Sequence, residues 1–74
     1  MLSEKKALAA LGKQIKAVRK AQGLTQEQLA EACSFDPTYV SLLERGLRNP
    51  PFLTLYKISA QLKCNVKRLF ENLI

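Results

Sequence analysis

The side chains that carry most enzymatic chemistry are scarce in this sequence. It has no histidine, and its six carboxylates fall mostly at positions that read as helix termini or exposed helical faces. No nucleophile stands in a recognisable catalytic motif. Cys33 and Cys64 lie far apart with no CxxC, which removes the usual zinc arrangements, so both read as small buried apolar residues. No catalytic centre, metal site or cofactor is expected. What the chain does offer is charge of one sign: twelve Lys and Arg against six Asp and Glu give a net +6 and a pI near 9.7. That surplus attracts polyanions and speeds encounter with them, although many small basic domains bind nothing acidic.

Such groups act only where elements hold them in place. At 74 residues with 47% hydrophobic content, the chain reads as one domain near the lower size limit for a single core without disulfides or metal. No apolar run approaches the roughly 18 residues of a membrane span. The opening MLSEKKALAALGK contains an acidic residue and no apolar stretch followed by a cleavage pattern, so a soluble cytoplasmic protein is expected. No strand-like alternation or internal repeat is evident, and the periodicity is helical throughout.

Ser3 can cap a first helix with Glu4 in its first turn, residues 1–4 being expected to fray. Leu8, Leu11, Ile15 and Val18 make its apolar stripe. Lys13, Lys16 and Lys20 form a row on another face, read as a solvated surface. Gly23 ends this helix as a left-handed residue, with Leu24 for the accompanying apolar contact. Thr25 and Gln28 form a capping-box pair that starts a second helix, running to about Cys33 with Leu29, Ala30 and Cys33 inward. Ser34 and Phe35 make a turn, Asp36 caps a third helix, and Pro37 takes its first position. Val40 and Leu43 continue the inward face, and Gly46 closes the helix.

LRNPP is a loop. A fourth helix is predicted from Pro51 or Phe52 to Leu62 or Lys63, with Phe52, Leu55, Ser59 and Leu62 on one face and Leu53, Tyr56 and Ala60 on a second. A fifth is predicted from Asn65 to about Leu73. Val66, Leu69, Phe70, Leu73 and Ile74 exceed what one inward stripe needs, so the last two helices carry apolar surface for another helix or another chain.

Two short helices joined by a three- or four-residue turn over Thr25–Gly46 fit a helix-turn-helix. GLTQEQLAEACSFDPTYVSLLERGLRNPPFLTLYKISAQL resembles the Cro and phage-repressor type of helix-turn-helix domain, and the likeness extends through NVKRLFENL to nearly the whole chain. DPTYVSLLERGLRNP, on a chain with no effector domain, is also similar to the controller proteins of restriction-modification systems. The resemblance implies an all-α, compact five-helix, lambda-repressor-like domain, with the second helix crossing the DNA backbone and the third in the major groove.

Carried over by position, it implies that the Gln26 amide reaches a phosphate and that Thr38 and Leu42 face the groove beside Pro37 and Ser41. It also implies that Tyr39 meets phosphate, sugar or base edges, and that Arg45, Arg48 and Asn49 hold the backbone beyond the reading helix. Thr38 and Ser41 can equally be solubilising, and Tyr39 can equally pack on its own domain. Arg19 and Glu44 match the family's internal salt bridge and are assigned to structure. Two departures stand out. Relatives commonly have glycine where Ser34 stands, so either the turn differs or Ser34 takes left-handed strain. Pro37 has no side-chain donor, and the helix lacks the bidentate Arg, Gln or Asn contacts that read guanine or adenine most strongly. Specificity is therefore expected to lean on thymine methyls met by Thr38 and Leu42, and on operator deformability.

One short helix supplies few contacts, whereas a two-fold dimer doubles them. The expected reading is a homodimeric regulator of a palindromic double-stranded DNA operator, with contact to RNA polymerase as one route to control and no membrane or small-molecule partner. Phe52, Leu53, Tyr56, Phe70, Leu73 and Ile74 are the candidate interface, not separable by pattern into core and contact. A competing reading is a phage-type repressor, or an antitoxin whose main task is masking a partner protein. RNA binding is disfavoured by the absence of an exposed aromatic stacking platform.

Overall fold

Helix starts follow the side chains that can satisfy free backbone N–H groups. In the computed structural model, which describes residues 3–71 and 73, four α-helices run in order: α1 Glu4–Ala21, α2 Gln26–Cys33, α3 Pro37–Glu44 and α4 Phe52–Gln61. A short 3₁₀ helix, Val66–Phe70, follows them. Ser3, expected within a frayed end, caps α1 by accepting from the Lys6 N–H at 3.2 Å. Thr25 and Gln28 form a reciprocal box, Oγ1 accepting from Gln28 N–H at 3.0 Å and Gln28 Oε1 from Thr25 N–H at 2.8 Å. Asp36 accepts from Thr38 N–H at 2.8 Å. α4 begins at Pro51 without a side-chain cap.

All four helices end the same way. A left-handed residue follows the last turn, and paired N–H groups close onto the carbonyls left free. After α1, Gly23 N–H donates to Lys20 O at 2.9 Å and Leu24 N–H to Arg19 O at 3.2 Å. Ser34, Gly46 and Lys63 hold the corresponding places after α2, α3 and α4. Ser34 therefore keeps the turn geometry that glycine usually supplies, at φ 60° and ψ 39°. Lys63, at φ 56°, takes the same conformation without any sign of it in the sequence.

The core is built from Leu11, Ile15 and Val18 of α1, Leu29, Ala30 and Cys33 of α2, Val40 and Leu43 of α3, Leu55 and Ile58 of α4, together with Leu62 and Leu69. α2 packs on α3 and α4, α1 on α3 and the 3₁₀ helix, and the 3₁₀ helix also on α4. Gly12 is the closest joint. A Cβ there would lie 2.5 Å from the carbonyl oxygens of both Leu43 and Glu44, so only glycine lets α1 rest on the end of α3.

Two expectations are corrected. The fifth α-helix expected over 65–74 is instead the 3₁₀ helix Val66–Phe70, capped by Asn65, whose Oδ1 accepts from Lys67 N–H at 3.0 Å. A three-residue repeat brings Val66 and Leu69 onto one side, and this is enough to bury Leu69 fully. The face of α4 expected to run Phe52, Leu55, Ser59 and Leu62 does not stay together: Leu55, Ser59 and Leu62 are buried and joined by Ile58, which lies on neither expected face, whereas Phe52 is 57% exposed. No helix among the described residues is long and apolar enough to cross a membrane.

Candidate nucleic-acid interface

The buried residues of α3 fix what its other side presents. Val40, Leu43 and Glu44 point inward. Helical geometry then aligns Thr38, Ser41, Leu42 and Arg45, spaced i, i+3, i+4 and i+7, on the opposite side. Thr38 and Arg45 are exposed, and Ser41 and Leu42 half-buried. Pro37 is exposed at the tip. The face offers two hydroxyls, a methyl, an isobutyl group and one guanidinium.

Tyr39 sits to one side of that face. Its ring meets Phe35 edge to face, with centroids 5.3 Å apart and planes at 88°. Both rings pack against the core, so the aromatic surface of Tyr39 is used within the domain. Lys57 of α4 lies over the Phe35 ring, its Nζ 5.1 Å from the centroid. Phe35 thus joins the turn, α3 and α4, where the sequence showed only a turn residue.

Behind α3, Arg19 grips Glu44 with two hydrogen bonds, Nε to Oε2 at 2.7 Å and Nη2 to Oε1 at 2.9 Å. Both side chains are removed from solvent, at 7% and 2% exposure. The Glu44 hydrogen bond, aided by its charge and opposed by desolvation, holds the Arg19 guanidinium above its ordinary value. Arg19 Nη1 donates to Leu24 O at 2.7 Å. Gln26 Nε2 donates to Glu44 Oε1 at 3.0 Å. The Gln26 amide, expected on a phosphate, is thereby part of the buried network and keeps one N–H for an outside acceptor. No buried side-chain nitrogen or oxygen among the described residues lacks a partner.

Arg19, Thr25, Gln26 and Glu27 line a shallow cleft at this end of α1. Asn49 lines a second cleft with Glu4, Ala7 and Leu8. The proposed contacts Gln26 and Asn49 therefore border clefts at opposite ends of α1. Arg48 is exposed, its Nη1 donating to Leu47 O at 2.9 Å.

Phe52, Leu53 and Tyr56 stand 57%, 72% and 58% exposed on α4, and Phe70 is 39% exposed. Leu73 differs from them. It is half-buried and packs against the core. Ile74 lies outside the described residues. Burial pushes the Cys33 and Cys64 thiols up, against opposing charges of Lys57 and Arg68 respectively. Among the described residues no group of three or more His, Cys, Asp or Glu could hold a metal ion.

A short helix with a polar outward face, set by a three-residue turn on a second helix, defines a helix-turn-helix domain. The helix-turn-helix family pattern matches residues 15–69, and the chain belongs to that family. An uncharacterised HTH-type transcriptional regulator of Sinorhizobium fredii is 40% identical over 52 residues, 70% of this chain and 68% of that protein. Control protein C.MunI of a Mycoplasma species is 38% identical over 63 residues, covering 84% of this chain and 85% of its own. The restriction-modification controller protein C.AhdI of Aeromonas hydrophila superposes with a TM-score of 0.83 at 35% identity, over 85% of this chain and 96% of that one. The biofilm regulator SinR, in complex with DNA, gives 0.78 at 37% identity over 82% of this chain and 98% of that one.

Proposed function

We propose that this protein is a sequence-specific DNA-binding transcriptional regulator that acts as a homodimer on a palindromic operator, most like a restriction-modification controller. The observation that carries the reading is the outward face of α3. Thr38, Ser41, Leu42 and Arg45 project from a helix anchored on its other side by Val40, Leu43 and the Arg19–Glu44 pair. In this reading α3 enters the major groove, Gln26 uses its remaining N–H on a phosphate, and Arg45, Arg48 and Asn49 hold the flanking backbone. Pro37 and Tyr39 border the groove, Tyr39 offering its hydroxyl because its ring is held by Phe35.

Thr38 and Leu42 present methyl groups and no bidentate donor, which favours contact with thymine methyls over readout of guanine or adenine. The second copy docks on Phe52, Leu53 and Tyr56 of α4, with Phe70 at the border. Control follows from concentration, through dimerisation and promoter occupancy, with contact to RNA polymerase setting the sign.

Selection of bound sequences from a random duplex pool tests the reading. The expected product is a two-fold symmetric consensus whose half-sites lie about 34–36 Å apart, or a multiple of that. A pool that shows no enrichment over its input overturns it. On the selected site, uracil in place of thymine should weaken binding at some half-site positions. Unchanged affinity at every position removes methyl readout.

A further inference from the structure

The positive charge of the chain and its helix-turn-helix lie in different places. Residues 22–50, holding α2, α3 and the loops around them, carry Arg45 and Arg48 against Glu27, Glu31, Asp36 and Glu44. Residues 4–21, by contrast, carry six cations against Glu4 alone. Affinity for duplex DNA comes largely from cations that displace counterions along the phosphates. A reading unit with more carboxylates than cations needs that charge from outside itself.

α1 supplies it in an ordered way. Arg19 is buried in its pair with Glu44, so it is not a free surface cation. Lys13, Lys16 and Lys20 are exposed. Among the described residues none of the three reaches ion-pair distance of a carboxylate. They recur at i, i+3 and i+7, which makes one row. Lys16 lies one turn before Arg19, and Lys20 directly follows it. That end of α1 is tied to the start of α2, because Arg19 bonds both the Leu24 carbonyl at 2.7 Å and the carboxylate that accepts from Gln26. Lys16 and Lys20 therefore flank the residue that ties α1 to the start of α2, whereas Lys13 lies a turn further from it.

We propose that the outer face of α1 is a second DNA-backbone surface, with Lys16 and Lys20 holding phosphates of the strand met by Gln26 and Lys13 contributing less. The proposal rests on the DNA-binding reading above and extends the contact beyond the helix-turn-helix. Its signature is electrostatic and independent of base sequence. Removal of Lys16 and Lys20 weakens binding to operator and random duplex by the same factor and leaves the operator preference unchanged.

The test is the salt dependence of duplex binding by the full chain, as the slope of log K against log salt concentration. The double variant Lys16→Gln/Lys20→Gln is expected to reduce that slope by roughly 2, at about 0.9 for each phosphate no longer neutralised, and Lys13→Gln by less than one such step. Lys63→Gln, which removes the same unit charge beyond the end of α4, is expected to leave the slope as it was. An unchanged slope in the double variant, or an equal reduction in Lys63→Gln, overturns the α1 surface while the regulator reading stands. If the unmodified chain prefers no duplex sequence at all, the regulator reading falls and the α1 surface with it.

Discussion

Arg19 shows how a cation on a basic helix can serve the fold. Its side chain is 7% exposed and is shared between Glu44 and the Leu24 carbonyl. A buried pair of this kind adds little net stability over a well-packed apolar pair, but breaking it strands a charge in the core. Arg19→Met is therefore expected to cost about 3–5 kcal/mol, a large share of the roughly 5–15 kcal/mol that small domains possess. The double variant Arg19→Met/Glu44→Leu should recover most of that stability, and urea unfolding of the three proteins measures it. Equal destabilisation of the single and double variants would show that Gln26 and Leu24, not the charges, set the cost.

At the scale of elements, three substitutions have opposite signs from what helix propensity alone suggests. In an open helix, Gly→Ala stabilises by about 0.5–1 kcal/mol. At Gly12 the added methyl meets the Leu43 and Glu44 carbonyl oxygens, and α1 must move off α3. Gly12→Ala should destabilise by about 1–3 kcal/mol, the usual range for overpacking. Conversely, Ser34→Gly and Lys63→Gly each relieve a left-handed side chain, a conformation that costs roughly 1–2 kcal/mol. Each should raise the melting temperature by about 4–8 °C per kcal/mol of added stability. A fall in melting temperature for both would mean their side chains make contacts that outweigh the strain.

These elements also show what could be read without coordinates. The caps Ser3, Thr25 and Asp36 and the ends Gly23 and Gly46 were legible, because each is a local chemical requirement met by a residue type. Lys63 was not, since nothing in a lysine marks a left-handed backbone. Gly12 was hidden for a different reason: its partner lies at Leu43 and Glu44, and only the folded chain brings the two together. The spacing of Val66, Leu69 and Leu73 satisfies a three-residue repeat at its start and an α-helical one after it, so pattern alone chose the longer helix. In the candidate site, the outward set Thr38, Leu42 and Arg45 follows from where Asp36 and Pro37 start α3. The Gln26–Glu44 bond spans 18 residues and had no local signature.

For the whole molecule the question is how so small a unit becomes selective. An α-helix of eight residues, the length of α3, is about 12 Å long, and in the proposed complex only part of it would lie along base edges. In the proposed dimer the second copy brings a second α3, and two-fold binding sets the two half-sites about one duplex turn apart, or a multiple of that. That copy is proposed to dock on the apolar face exposed on α4. Leu53 is its most exposed member, at 72%, with Tyr56 at 58% and Phe52 at 57%. None of the three supports the core, so polar replacement should leave the fold intact. Leu53→Glu/Tyr56→Glu is expected to keep the helical fold, as exposed substitutions do, to melt below the parent only by the stability that association adds, and to give a monomeric mass where the parent gives a dimer. Because a dimer ties its two half-site contacts together, the variant should lose operator affinity far more than affinity for random duplex. A parent that is monomeric by light scattering at tens of micromolar overturns the homodimer, and a variant that stays dimeric places the contact elsewhere and leaves the α4 face to a different protein.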